Sequence, residues 1–280
     1  MKPKISIVTP SYNQGQYIEW TIRSVVLQRY PNLEYVVMDG GSTDGTLPIL
    51  KWYQRHLSYW VSEKDGGQSD AVRRGFERSS GDIMAYLNSD DVLAPGALNF
   101  VADFFERNPK IDAVYSHRCI IDEQNNVLGY WILPPHSNLL MERWDLIPQE
   151  TCFWRRRLFE RAGNVDSSFR FALDYDLFVR YMRAGKFRRV SRFLSAFRMH
   201  KESKTVSQLM TVGQAEISRV HQKHGIRFPK GGRLIGTAFQ LSVQLRSARF
   251  ARQSGLISGC LPGTGYNYDE IWGELLNCSA

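Results

Sequence analysis

The chain has 280 residues, 43% hydrophobic and 23% charged, a balance that supports a packed core and excludes a disordered chain. That length accommodates one large α/β domain, or one domain with a smaller appendage. The formal net charge of +8 suits anionic partners (nucleotide diphosphates, nucleic acid or an acidic membrane surface) without choosing among them.

Ile5 to Thr9 is a short apolar run, broken by Pro10-Ser11-Tyr12-Asn13, and predicts a strand. Tyr17 to Gln28 predicts a helix, with Ile18, Ile22, Val25 and Val26 on one face. Leu33 to Met38 predicts a second strand, ended by Asp39-Gly40-Gly41-Ser42-Thr43-Asp44-Gly45. Leu47 to His56 follows as a helix, Tyr59 to Ser62 as a strand and Ser69 to Ser79 as a helix. Ile83 to Leu87 is a fourth strand, ended by Asn88-Ser89-Asp90-Asp91. Helix and strand alternate, and the strands are continuous apolar runs, which indicates a mostly parallel sheet covered by helices. The second half is less regular. Helices are predicted over Ala97–Arg107, Arg157–Ala162, Tyr175–Ala184 and Thr211–His224. Strands are predicted over Ala113–Ile121, with a hairpin partner in Asn126–Ile132, and over Phe187–Phe197. Beyond Pro229 the composition shifts toward Gly, Arg and Ser, so residues 1–228 read as the main domain and 229–280 as a partly helical C-terminal extension.

In the first half, each polar, glycine-containing loop follows the C-terminal end of a strand, the edge at which open α/β sheets bind ligands. Asn88-Ser89-Asp90-Asp91 places two adjacent carboxylates there, and they repel unless something positive offsets them. Hard oxygen ligands in an open site suit Mg²⁺ or Mn²⁺ bound to a substrate diphosphate; the plain alternative is a cap for the helix that begins near Ala97. Asp39 can accept a hydrogen bond from a base or ribose, while Thr43 and Asp44 read as turn and cap residues. Asp65-Gly66-Gly67-Gln68-Ser69-Asp70 is followed by Arg73 and Arg74, whose guanidinium forks suit phosphate oxygens or simply form a solvated basic face.

Together the runs "ISIVTPSYNQGQYIEWTIRSVVLQ", "VVMDGGSTDGT" and "GDIMAYLNSDD", in that order, resemble the family 2 glycosyltransferases, inverting enzymes of the GT-A (Rossmann-like) fold. The resemblance implies that Pro10 and Tyr12 flank the nucleotide base, that Asp39 hydrogen-bonds it and that Asp65 closes the base and ribose pocket. Asn88 and Asp90 occupy the ends of the family's Asp-x-Asp motif, and with Ser89 between them are expected at the nucleotide sugar; with Asn at the first position, Asp90 is the main expected metal ligand, with Asp91 beside it. Arg73 stands where family members often carry Asn. The general base is expected in Leu173-Asp174-Tyr175-Asp176-Leu177, at Asp174 with Asp176 second, the plain alternative being that both serve the start of a helix. His200, at the end of a strand, is expected at the metal or diphosphate, with Arg198 a weaker candidate. Pro148-Gln149-Glu150-Thr151-Cys152-Phe153-Trp154 resembles the acceptor-side segment. There Gln149 and Glu150 would hydrogen-bond sugar hydroxyls, and Trp154 would either stack on a sugar face or sit in the core.

The resemblance therefore implies transfer of a sugar from a nucleotide-diphosphate sugar (UDP first, with thymidine and guanosine diphosphates as alternatives) to a hydroxyl of a glycan or lipid-linked acceptor. The rival classes are a nucleic-acid-binding module, drawn from the basic balance, and a non-catalytic nucleotide-sugar binder. Against the first stands the absence of an aromatic-basic RNA-binding signature, so no nucleic-acid partner is expected. Against the second stand Asp90, Asp91 and Asp174. Cys119, Cys152, Cys260 and Cys278 are scattered and read as free thiols of a reducing compartment. No stretch has the length and apolarity of a signal peptide or membrane span, so the expected location is the cytoplasm, at or near the inner face of a membrane. Between Arg233 and Arg252, Leu234, Ala238, Leu241, Leu245 and Ala248 recur at helical spacing beside Arg246, Arg249 and Arg252. Such a helix either packs on its own domain or lies on an anionic membrane.

Overall fold

A computed structural model describes residues 2–203, 209–228 and 231–253. Strands β1 (Ile5–Ser11), β2 (Leu33–Asp39), β3 (Tyr59–Ser62) and β4 (Ile83–Tyr86) alternate with helices α1 (Ile18–Val26), α2 (Thr46–Tyr53) and α3 (Gln68–Arg78), as the apolar runs predicted. β1 continues two residues past its expected end. Pro10 pairs in register with Met38 and Ser11 with Asp39, so the strand carries Pro10 to the rim of the sheet. After the two-residue β5 (Val92–Leu93) come α4 (Ala97–Arg107), β6 (Ala113–Ile121) and β7 (Val127–Trp131), then α5 (Asn138–Trp144), β8 (Phe153–Arg155), α6 (Arg156–Ala162), α7 (Leu173–Ala184) and β9 (Phe187–Arg198). A π-helical turn at Leu209–Gly213 leads into α8 (Gln214–His224), and α9 (Gly232–Gln253) closes the described chain.

The nine strands form one mixed sheet in the order β3-β2-β1-β4-β8-β6-β9-β5, with β7 paired to β6. β3, β2, β1 and β4 are mutually parallel; β8 joins them antiparallel to both β4 and β6, while β9 runs parallel to β6. Strand alternation sends side chains to two cores. Tyr35 and Val37 of β2 join Ile18, Ile22 and Leu50 on one face, and Val36 and Met38 join Val72, Phe76 and Leu177 on the other. The second face is tight: a Cβ at Gly75 of α3 would overlap Val8, so only glycine lets the helix approach β1 this closely.

The C-terminal extension is not detached. Phe239 and Val243 of α9 are buried in the same core cluster as α7, and Ala251 is 5% exposed. Cys119 and Cys152 are free, buried thiols. Cys260 and Cys278 lie outside the described residues, as does the rest of the extension from residue 254.

Candidate active site

The parallel quartet creates the crevice. From β1 the chain moves to β2 and β3 on one side and returns to β4 on the other, so the loops at the C-terminal ends of β1 and β4 diverge at a topological switch point. Four segments meet there. After β1, Tyr12 stands 62% exposed on the rim and Asn13 adopts a left-handed φ of 52°. The Asn13 N–H donates to Ser42 Oγ at 2.7 Å and its side-chain oxygen accepts from the Thr43 N–H at 2.9 Å, latching the β1 loop to the β2 loop.

Asp39 lies behind this surface, 1% exposed, not at it. Its carboxylate accepts from the Gly41 N–H (3.2 Å), the Ser42 N–H (2.9 Å), Ser42 Oγ (2.6 Å) and Ser62 Oγ (2.6 Å). Three of these bonds fall on Oδ2 and one on Oδ1, so Oδ1 keeps an acceptor site. The carboxylate thus ties the ends of β2 and β3. Asp65 is half-buried and closes against Gly40, where a Cβ would lie 3.2 Å from both carboxylate oxygens. Burial, with the charges of Asp70 and Asp39, raises the Asp65 carboxyl, and the Gly67 N–H bonded to it at 2.7 Å partly offsets this. Arg73 pairs with Asp70 (2.7 Å) and Glu77 (2.6 Å), and Arg74 with Glu63, so neither guanidinium is without a carboxylate.

At the end of β4 the motif splits into two environments. Asn88 accepts from Gln68 Nε2 at 2.7 Å and donates to Gln149 Oε1 at 3.2 Å; Gln149 Nε2 in turn donates to the Tyr86 carbonyl at 2.6 Å. Ser89 is buried. Asp90 keeps an accessible carboxylate, and its Oδ2 lies 3.0 Å from His200 Nε2, across 110 residues of sequence. Asp91 is 1% exposed and turns inward, where its Oδ1 accepts the Arg198 backbone N–H at 2.9 Å. Burial, with the neighbouring Asp90 charge, pushes its carboxyl well above the usual range, which argues against an outward metal ligand. Arg198, fully buried, donates from Nε to the Asp90 carbonyl (2.8 Å) and from Nη1 to the Asp122 carbonyl (2.8 Å). Its guanidinium lies 5.2 Å from the Tyr17 ring, which packs 4.8 Å from the His200 ring. Arg198 therefore braces the turn that presents Asp90.

Among the described residues no group of three or more His, Cys, Asp or Glu could hold a metal alone. The Asp90–His200 pair supplies one carboxylate and one imidazole. That set fits Mg²⁺ or Mn²⁺ shared with a diphosphate, because such ions commonly take one or two protein ligands and complete their sphere with substrate oxygens and water.

The acceptor-side residues divide differently from expectation. Gln149 is 5% exposed and bonded as above. Glu150, 3% exposed, is held by Arg118 through two parallel bonds of 2.7 and 2.8 Å. Trp154 is in the core: fully buried on β8, it meets Phe76, Phe178 and Tyr181 edge-on, so it cannot stack on a sugar. Short β8 sits between β4 and β6 and is covered on both faces, which strand alternation within its three residues could not reveal. Trp154→Ala should cost about 3–5 kcal/mol of stability. Chemical denaturation measures this, and a change below about 1 kcal/mol would contradict the core placement.

α7 begins two residues earlier than expected, with Ala172 at its cap, so Asp174 lies within the first turn and is not the cap. Its Oδ1 accepts the Tyr175 N–H at 2.9 Å, and no cation pairs with it among the described residues. Burial raises its carboxyl to about 6, against the lowering influence of that N–H and the Arg118 charge. Asp176 faces the other way. Fully buried, it accepts from Lys223 (2.7 Å), His224 (2.9 Å) and Arg180 (2.9 Å), and these partners hold it below the ordinary carboxylate range despite burial. The second choice for the base is thereby corrected: Asp176 ties α7 to α8. Two residues escaped the sequence reading. Arg118 orients Glu150, and Asp145, held at a left-handed φ of 42°, lies close enough to Asp174 that the Asp174 charge, after burial, drives its carboxyl well up.

This architecture has relatives. Residues 6–164 match the model of "Glycosyl transferase family 2", and the chain belongs to that family. It is 30% identical over 216 residues to "Chondroitin synthase" of Escherichia coli, covering 74% of this chain and 30% of that one. It is 41% identical over 95 residues to "Putative teichuronic acid biosynthesis glycosyltransferase TuaG" of Bacillus subtilis, covering 32% of this chain and 37% of that protein. The matched segments thus span less than half the length of either relative. Among solved structures, S. aureus TarS 1-349 in complex with UDP-GlcNAc superposes with a TM-score of 0.58 at 20% identity, over 73% of this chain and 61% of that one. The mannosyltransferase PcManGT from Pyrobaculum calidifontis, in complex with GDP-Man and Mn²⁺, gives 0.59 at 18% identity, over 80% and 68%. At these identities the structural likeness establishes the GT-A fold alone.

Proposed function

We propose that the chain is an inverting, metal-dependent hexosyltransferase that moves a sugar from a UDP-sugar to a hydroxyl acceptor in polysaccharide, glycolipid or glycan assembly. The observation that carries this reading is the meeting of Asp90 and His200 at 3.0 Å on the ligand-binding edge of the sheet, in a chain whose Asp174 carboxylate has no cation partner among the described residues. Pro10 and Tyr12 wall the nucleotide base, Asp65 and the loop ordered by Asp39 close the ribose side, and Asn88 and Ser89 shape the floor. Arg73 and Arg74 lend positive charge near the diphosphate. Asp174 takes the proton of the acceptor hydroxyl as its oxygen bonds to the anomeric carbon; the bond from that carbon to the diphosphate breaks, and configuration inverts. A divalent cation, Mn²⁺ or Mg²⁺, held by Asp90 and His200, would neutralise the departing diphosphate. Gln149 and Glu150 line the acceptor side, positioned through Asn88 and Arg118. Residues 1–228 form the catalytic domain, with 229–280 its extension. The proposed location is the cytoplasm, in peripheral contact with the inner face of a membrane through α9. No helix among the described residues is long and apolar enough to cross one.

The reading is tested by a thermal-shift panel of UDP-, GDP- and dTDP-sugars with and without Mn²⁺. A shift confined to UDP-sugars and to the metal-containing samples supports it, and no shift with any nucleotide sugar refutes the donor assignment. Asp39→Ala should weaken nucleotide binding by ~1–3 kcal/mol, because Ser42 and Ser62 lose the acceptor that orders the loop. Titration calorimetry should show equal losses for UDP and for the UDP-sugar. A loss limited to the sugar nucleotide would detach this loop from the base pocket.

A further inference from the structure

Helix α9 has two unlike faces. On the inner one Phe239, Val243 and Ala251 are buried, a Cβ at Gly236 would lie 2.6 Å from the Trp144 indole nitrogen, and Ser247 Oγ accepts the Ile132 N–H at 3.0 Å. On the outer one Leu234, Leu241 and Leu245 are 77%, 53% and 62% exposed, with Ala238 and Ala248 exposed on the same stripe. A surface helix packed on its own domain ordinarily turns polar residues outward. This one, 22 residues long, contains no Asp or Glu. Its exposed Arg246, Arg249 and Arg252 make no ion pair among the described residues.

A second feature adjoins the helix. A cavity of about 410 Å³ is lined by His117, Ser191, Arg192 and Phe193 of the sheet, by Pro95, and by Phe250 of α9 itself. Arg192 lies 4.4 Å over the Phe100 ring and Arg189 bonds the Pro134 carbonyl, so neither is neutralised by a carboxylate. His117 is held neutral, its imidazole lowered to about 4 by burial and by the Arg189 and Arg246 charges. The Arg192 guanidinium therefore lines an aromatic-walled cavity, with Arg189 against its His117 and the Arg246 charge close by, beside an exposed leucine stripe.

We propose that this face docks on an anionic lipid bilayer, with Leu234, Leu241 and Leu245 entering the interface and Arg192, Arg246 and Arg249 meeting lipid phosphates. The proposal deepens the peripheral contact proposed above and does not need the donor chemistry. A second copy of the chain fits less well, since a symmetric pairing of this face would set arginine against arginine.

Flotation of the full chain tests it, using vesicles of phosphatidylcholine alone and vesicles of phosphatidylcholine with phosphatidylglycerol. The expected result is binding to the anionic vesicles only, released by high salt. Arg246→Gln and Arg249→Gln should each weaken it roughly fivefold. The double variant L241S/L245S should weaken it more than about tenfold. The same variants should keep the wild-type melting temperature and UDP affinity, because these side chains point to solvent. Equal binding to neutral vesicles, or unchanged binding by the variants, overturns the proposal. So does a dimer that L241S/L245S dissolves, or vesicle binding that appears only once residues 254–280 are removed. If the wild-type chain floats but binds no nucleotide, the donor reading falls and the docking face stands.

Discussion

Replacing Asp174 by Asn should lower turnover by ~10²–10⁴-fold with donor affinity nearly unchanged, the range typical for loss of a general base. Asn keeps the shape and still accepts the Tyr175 N–H that Asp174 accepts at 2.9 Å, so the first turn of α7 is preserved while basicity is removed. Burial holds the Asp174 carboxyl at about 6, which leaves it ionised at neutral pH and able to take a proton. Wild-type turnover should consequently fall as pH drops through about 6, and the residual activity of the Asn variant should lack that acid limb. Steady-state kinetics across pH, with saturating donor, reads both effects. Near-normal turnover in Asp174→Asn would reject the base assignment. The adjacent control behaves differently: Asp176→Ala strands the Lys223 and Arg180 cations and the His224 imidazole around a buried site and should cost about 3–5 kcal/mol of stability, so its defect is one of folding.

The second large effect is expected at Asp90. Asp90→Ala leaves the packing of β4 intact, because its carboxylate is partly exposed and bonded only to His200 among the described residues. Losing an outer-shell partner of a metal typically costs ~10–100-fold in affinity or activity. Losing a direct ligand should exceed that, abolishing transfer and the Mn²⁺-dependent part of donor binding. Calorimetric titration of UDP-sugar with and without Mn²⁺ measures the second quantity. An undiminished metal-dependent increment in Asp90→Ala would remove Asp90 from the metal site, whereas His200→Ala should weaken the same increment if the pair acts together.

The first half of the fold was legible because β1, β2 and β4 are buried on both faces and read as largely apolar runs. Their ends fell within one residue of prediction, apart from the two-residue Pro10-Ser11 step, where a proline at the rim looked like a strand breaker. The second half was not, because its decisive pieces are short. β5 has two residues and β8 three, too few to show any period, and both exist only through pairing with distant strands. The site was legible as residue types and misread as orientations. Asp174 and Asp176 are two positions apart on a helix, about 200° around its axis, so they could not share one surface. The spacing of Asp176 to Arg180 already placed Asp176 on the ion-paired side. Asp90 and Asp91 likewise take opposite directions from the β4 end, and nothing in the motif says which one turns inward. Arg118 and Asp145 carry no local signal at all; they matter through Glu150 and Asp174, contacts that only the tertiary fold creates.

The central claim is that the strand-edge cleft binds and activates a nucleotide sugar through a metal held at Asp90 and His200. Its most direct test is UDP release from a UDP-sugar without acceptor, followed in Mn²⁺ and again after chelation. Slow release in Mn²⁺, stopped by chelator and absent from Asp90→Ala, is the predicted result. Release that persists undiminished in chelator and in Asp90→Ala would contradict it.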